Sequence, residues 1–406
     1  MKYLFIALLF VLLLEAGCTR SPLNRRVSNT SPQQNIPDYA KVQLVPSDQN
    51  SQILKFSGQI YNALFSSDGH VLVVETTPPD SPEYDKQPVT TRIDDVLHFW
   101  DLNTHQLTHY IVLRNQVIEF MAFSPDGKYL AASVNQSPLD DKYSKEYLYI
   151  WDAHSTKLLK RILLSAPSSA YGAALEFSPN GHLLSLNFLW DILLINTSSW
   201  KKVKKLHLVR DAMLEAYKLS FSPDGKKLAA SSCNLNTESV TLWALTVWNT
   251  QTGKVQMYLD DSKFVLDPHN KNACPGDVGF LSDNHTLAMG RYLFDTHHPK
   301  HKARKLAEQK TSPVLNSTKY VTLDTCIAKN KQLAVLLFNP KTPKAKTILW
   351  DLKSKKVLYT WDKAFTQKIM PYDDYMGASL STDGKWFIFN TWGYNNNNIL
   401  QIWNIR

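Results

Sequence analysis

The feature that most constrains this chain is a motif that keeps returning. Residues 221–259 read FSPDGKKLAASSC, then a polar insertion, then LTVWNTQTGKVQMYL, and variants of that stretch recur from Tyr61 to the C-terminus. In most copies a hydrophobic strand ends in Phe-Ser-x-Asp-Gly or a close variant, a turn whose glycine accepts the positive φ that a tight hairpin needs; the fifth copy is degenerate and the sixth has lost the turn signature. A second strand follows at once, then a segment of variable length. A third strand ends in Trp-Asp or Trp-Asn, and a turn of the Asn-Thr-x-Thr-Gly-Lys kind leads into a fourth. Four short antiparallel strands cannot bury their own two faces, so the copies must stack on one another.

Seven copies are expected, with third strands closing at Trp100, Trp151, Ile195, Trp248, Phe294, Trp350 and Trp403. The last copy stops at Arg406, before any fourth strand. At the other end of the globular part, residues 41–45 (KVQLV) form a short strand with no hairpin partner nearby. Together the two ends predict a ring: an all-β, seven-bladed β-propeller of four-stranded antiparallel blades over 41–406, closed by the N-terminal strand completing the last blade. Closure of that kind leaves no open sheet edge.

These motifs resemble the WD-repeat propellers over most of the chain. One departure is visible. The Gly-His pair that precedes the first strand in that family is absent, and Gly69-His70 and Gly181-His182 follow the turn instead, so the family's buried His-to-Asp network is not carried over. The Phe-Ser-Pro-Asp-Gly-Lys run also looks like the periplasmic propellers of the Tol system and the propeller half of prolyl peptidases.

The N-terminus, MKYLFIALLFVLLLEAGC, has one basic residue, an apolar run from 3 to 14 and then small residues. That is the pattern of a secretory signal over 1–17, too short and too early for an ordinary spanning helix. Ala16-Gly17-Cys18 resembles the bacterial lipobox, which implies a lipid on Cys18. Glu15 stands where that pattern has an aliphatic residue, which keeps ordinary signal cleavage or an uncleaved anchor as the rival. Thr19 at the next position implies, by the same resemblance, sorting to the outer membrane of a bacterial envelope. Residues 18–40, rich in Ser, Pro, Asn and Gln, read as a flexible tether.

In a meandering blade the turns between strands one and two and between strands three and four share one face. Here those turns are short. The opposite face receives the long segments 76–95, 134–146, 233–239, 260–276, 363–374 and 390–398, and long loops on a rigid scaffold are where binding usually resides. Acidic and aromatic residues collect in them: Tyr84, Asp140, Asp141, Tyr143, Asp267, Tyr372, Asp373, Asp374, Trp392 and Tyr394, with Asp94, Asp95, Asp260 and Asp261 beside them. Such a face suits a partner protein or a cationic, extended peptide anchored by aromatics. The plainer alternative is a set of solvated loops with turn-forming aspartates.

Other features carry less. The net charge of +9 is compatible with an anionic partner, but the lysines gather in turns and outer strands, as on a solvated face, and no nucleic-acid partner is expected. Cys233 and Cys274 fall on the same face in neighbouring blades, which leaves open a disulfide between them in an oxidising compartment. The run His297-His298-Pro299-Lys300-His301 invites a metal reading, yet only Asp295 stands near it at ligand spacing, so no metal and no cofactor are expected. No nucleophile elbow, zinc-binding His-Glu-x-x-His or phosphate-cradling glycine loop is present. The sequence therefore points to a monomeric, non-catalytic interaction platform, lipid-anchored in a bacterial envelope and binding an envelope protein or peptide. The alternatives are an enzyme or small-ligand site at the mouth of the central channel, and a part in envelope assembly like that of the propeller lipoprotein of the barrel-assembly machine.

Overall fold

A computed structural model describes residues 38–45, 51–77, 94–136, 145–165, 174–188, 191–208, 215–233, 243–260, 278–289, 292–299, 303–305, 321–327, 332–339, 344–351, 356–364, 376–391 and 398–405. Its strands fall into six sheets whose neighbours pair antiparallel, with one parallel exception. The sheets divide into four-stranded units, numbered here in chain order. Unit one is Gln59–Phe65, Val71–Thr77, Asp94–Asp101 and Gln106–Arg114; unit two is Gln116–Phe123, Tyr129–Gln136, Lys145–Asp152 and Leu158–Ser165. These two share one sheet only through a single parallel pairing, Asp94 with Gln116. Units three to six are separate four-stranded sheets, and unit five is Val278–Phe280, Thr286–Met289, Tyr292–Asp295 and Arg304–Lys305.

Burial changes systematically across a unit. The second and third strands are covered on both faces, so Val71–Thr77 and Asp94–Asp101 are buried at every position except their ends. That is why they read as continuous apolar runs rather than alternating ones. The fourth strand lies outermost: Lys201–His207 buries only Leu206 and leaves Lys201, Lys202 and Lys205 exposed, in line with a solvated lysine face. The residues closing the third strands, Trp100, Trp151, Ile195, Trp248, Phe294, Trp350 and Trp403, are all buried. Beside five of them the fourth strand carries an extra residue, Thr108, Leu159, Val203, Gln256 or Leu358, which skips the pairing register. Such a bulge turns its own side chain out of the ladder, and Leu159, Val203 and Leu358 are accordingly among the exposed large apolar residues.

The expected turns form, and one hydrogen-bond scheme repeats in them. Ser66 Oγ donates to Asp68 Oδ1 and accepts from Val71 N at 2.9 Å, while Asp68 Oδ1 accepts from His70 N at 3.0 Å. Ser124 with Asp126, Ser178 with Asn180, Ser222 with Asp224 and Ser381 with Asp383 repeat the scheme. The glycine after each has φ between 66° and 74°. In the degenerate fifth unit Asn284, at φ 63°, takes the glycine's place, as asparagine tolerates that region better than most residues.

Two expectations for the N-terminal part need correction. Residues 41–45 do not complete the last unit. Ser51–Phe56 does, pairing with Ile399–Asn404 beside Trp386–Thr391 and Met376–Leu380, and Val42–Val45 pairs outside it as a fifth strand. The physical reason is apolar content. Ser51–Phe56 buries Leu54 and Phe56, whereas Val42–Val45 buries no residue and leaves Leu44 exposed. The tether also ends earlier than residue 40, because Asp38–Ala40 is a 3-10 turn and Ala40 is buried with Val96, Tyr110 and Val112 of unit one.

Candidate functional site

The strands of units one and two end, on the side away from the Ser-x-Asp-Gly turns, in a group of carboxyls. Glu75 lies near the end of the second strand of unit one, in the otherwise apolar run VLVVETT, and Asp95 near the start of the third. Both lie on the sheet face that holds Val73, Leu97 and Phe99 against unit two. Glu119 belongs to the first strand of unit two, at the one residue that skips the register between Ile118 and Phe120. A bulge there aims its side chain independently of the ladder.

The connection between the two units fixes this group. Asn115 alone joins Arg114 to Gln116, with φ 55°. Asp94 Oδ1 accepts from Asn115 N at 2.9 Å, and Asp95 Oδ2 accepts from Ile118 N at 2.6 Å. Asp95 and Glu75 are hydrogen-bonded through their side chains, and Glu119 accepts from the Asn135 amide. The side-chain oxygens of Asn115, Gln116 and Asn135 are buried without a hydrogen-bond donor.

Burial dominates the electrostatics. It pushes Glu75 well above the ordinary carboxylate range, assisted by the Asp95 charge. Burial also raises Asp95 to about 7, against the lowering effect of the Ile118 N–H, and it raises Glu119. Among the described residues no lysine, arginine or histidine pairs with these three. The end of the sheets is thus rich in acceptor oxygens and poor in donors, a site that a cationic group would satisfy. On unit two, the Arg161 guanidinium lies 3.9 Å from the Tyr147 ring centroid and donates to Gln136 Oε1 at 2.6 Å.

Of the residues the sequence singled out, Tyr84, Asp140, Asp141, Tyr143, Asp267, Tyr372, Asp373, Asp374, Trp392 and Tyr394 lie outside the described residues, as do Cys18 and Cys274. Cys233 is the last residue of the strand Lys227–Cys233, opposite Trp243. Asp94 and Asp95 are placed at the loop-bearing end as expected. Sequence reasoning missed Glu75 and Glu119, although each is a lone carboxylate in an apolar strand, which was the available signal. It also passed over His285, whose side chain falls beside Asp295 and His297 on the turn-bearing face.

No family model and no curated protein matches the chain. Solved structures do. The chain is similar to hydrazine synthase of Kuenenia stuttgartiensis, with a TM-score of 0.56 at 15% identity, covering 86% of this chain and 96% of that one. It is also similar to a chain of the mitotic checkpoint complex, with a TM-score of 0.56 at 13% identity, covering 89% and 96%. At these identities the likeness speaks for the fold alone, which is of the β-propeller type. The expectation of a non-catalytic protein is corrected by the first of these: an enzyme is built on this architecture, so the fold gives no ground for excluding catalysis.

Proposed function

We propose that the chain is a seven-bladed, closed propeller of WD-repeat type that serves as a protein-interaction platform, anchored in a bacterial envelope membrane through lipid on Cys18. Closure is supported by contacts between the first and last units. Ser51–Phe56 pairs with the C-terminal strand, the Thr382 hydroxyl donates to Ser67 O, and a Cβ added to Gly69 would lie 3.2 Å from Asp383 Cγ. Neighbouring units are tied in the same sense further round, where Phe221 N donates to Glu176 Oε2 and Phe280 N to Ser220 Oγ.

The observation that carries the functional reading is the buried group Glu75, Asp95 and Glu119, which has no cationic partner among the described residues and lies at the end from which segments 78–93 and 137–144 depart. A protein partner bearing a lysine or arginine there supplies the missing charge, and the aromatic residues of the long loops supply anchoring area. The neighbour in the mitotic checkpoint complex shows that a chain of this fold takes part in a protein assembly.

Crosslinking capture from native membranes tests this, using tagged full-length protein beside variants Asp373→Ala/Asp374→Ala/Trp392→Ala and Asp95→Asn/Glu119→Gln. One or two envelope proteins should be enriched by the parent and lost with both variants. Capture unaffected by either would refute the assigned face. In the same preparation Cys18→Ser should leave the membrane fraction, and its retention would count against the lipid anchor.

A further inference from the structure

On the turn-bearing face, units one, three and five each bring three positions together: the residue after the turn glycine or its asparagine substitute, the last residue of the third strand, and the second residue beyond it. In unit one these are His70, Asp101 and Asn103. Asn103 N donates to Asp101 Oδ1 at 2.9 Å, and Asn103 Nδ2 lies 3.0 Å from His70 Nδ1. In unit three they are His182, Asn196 and Ser198, with Ser198 N donating to Asn196 Oδ1 at 3.1 Å. The frame is therefore structural. Unit five fills it with His285, Asp295 and His297, and keeps the frame bond, His297 N to Asp295 Oδ1 at 2.9 Å.

One ligand atom from each of these three residues lies within 4.8 Å of the others. His285 Nδ1 is 2.8 Å from Asp283 O, and since a carbonyl only accepts, a neutral His285 would carry its proton on Nδ1 and offer Nε2, which lies 3.6 Å from Asp283 Oδ2, as the ligand atom. Asp295 is oriented in turn by His298 Nδ1 at 3.1 Å from Oδ2. Outer contacts of these two kinds are the ones that hold metal ligands in place. The imidazoles of His285 and His297 stack at 4.7 Å with 10° between planes, which holds the two rings side by side. Lys227 is the nearby cation, held by Asn284 O at 3.1 Å and Thr296 Oγ1 at 3.0 Å, with the carboxylates of Asp224, Asp283 and Asp295 around it.

We propose that His285, Asp295 and His297 bind a divalent transition-metal ion of the zinc, nickel or copper class. Two imidazole nitrogens and one carboxylate oxygen suit those ions and leave a coordination position for water or for a donor from a docked chain. The His297 side chain is exposed, so a change of rotamer can bring its ring nitrogen to coordination distance. The site sits on the opposite face from the carboxyl group described above, so the two readings stand or fall separately.

The test is titration of full-length protein in detergent micelles with zinc, followed by calorimetry, and with copper(II), followed by nitrogen hyperfine structure in electron paramagnetic resonance. One equivalent should bind. His285→Gln and His297→Gln should each weaken it about 10-fold or more, as should His298→Gln through the outer contact. His70→Gln should leave it unchanged. Asn103→His, which completes the same frame in unit one, should add a second equivalent. Thermal melts of the metal-free variants, matching the parent, establish that each is folded. No binding by the parent, or unchanged binding in His285→Gln/His297→Gln, overturns the proposal. Failure of Asn103→His to add an equivalent counts against the frame as its basis.

Discussion

The two ends of the sheets hold the same chemical group in opposite states. On the turn-bearing face Asp68, Asp126, Asp224 and Asp383 are held below the ordinary carboxylate range, because a serine hydroxyl and backbone N–H groups donate to them more strongly than partial burial opposes. At the loop-bearing end Glu75, Asp95 and Glu119 are raised, because burial there has too few donors to offset it. Unit three shows a third outcome at that same end: Asp191 is paired with Lys205 and with His207 Nδ1. A carboxylate that organises a turn is satisfied within its own hairpin. One buried with too few donors, and with no cation beside it among the described residues, is a liability to folding that a partner can relieve.

That contrast predicts opposite pH dependences, and the largest effect belongs to the hydrogen-bonded pair of Glu75 and Asp95. Burial holds both above the carboxylate range, Asp95 at about 7 against an ordinary value near 4, so the folded pair keeps a proton that the unfolded chain releases between those pH values. Its contribution to stability is complete below about pH 4 and is lost as pH rises through 7. Asp95→Asn should raise stability at pH 8 by on the order of 2–4 kcal/mol and flatten the fall between pH 5 and 8. Urea unfolding at both values measures it, and parallel pH curves for parent and variant would remove the distinction between the two ends. The turn aspartates run the other way: their contribution is present above pH 4 and is lost as pH falls through their lowered values.

The turn network itself comes next. Ser124→Ala removes the acceptor of Tyr129 N and the donor to Asp126 at once, and should cost about 1–2 kcal/mol in the same unfolding experiment. Gly225→Ala, at φ 71°, should cost about 1–2 kcal/mol, whereas Asn284→Gly at the equivalent turn of unit five relieves φ 63° but removes the Oδ1 that accepts from Asp224 N at 2.8 Å, so its net effect should be less than about 1 kcal/mol. A cost at 284 as large as that at 225 would show that the side-chain bond, rather than the backbone conformation, governs that turn. The smallest effect is at the ion pair of unit three, whose lysine is exposed. Lys205→Met should change stability by less than about 1 kcal/mol, and the difference should vanish in 1 M salt.

Much of the architecture was legible because it repeats. Phe-Ser-x-Asp-Gly announced a turn each time, and the buried residues closing the third strands set the unit boundaries even where Ile195 and Phe294 replace tryptophan. Legibility ended where a segment has no copy to compare with. Ser51–Phe56 is flanked by no Phe-Ser-x-Asp-Gly turn, so its burial of Leu54 and Phe56 was invisible beside the more obviously alternating 41–45. The carboxyl group was half legible for a related reason. Asp94 and Asp95 stand at a strand start where loops begin, but Glu75 and Glu119 meet them only through the one-residue connection at Asn115 and the bulge at Glu119, which are features of register. His285 was hidden by sequence distance: it and His297 are brought together by two separate turns on one face.

The most direct test of the central claim, that the loop-bearing end takes a cationic partner, is the affinity of the captured protein for the full-length chain at pH 6 and pH 8. Binding should be tighter at pH 8, where Asp95 releases its proton to solvent and its carboxylate pairs with a lysine or arginine arriving beside it, and that pH dependence should be lost in Asp95→Asn/Glu119→Gln. Affinity that is the same at both pH values, and the same in parent and variant, would contradict it.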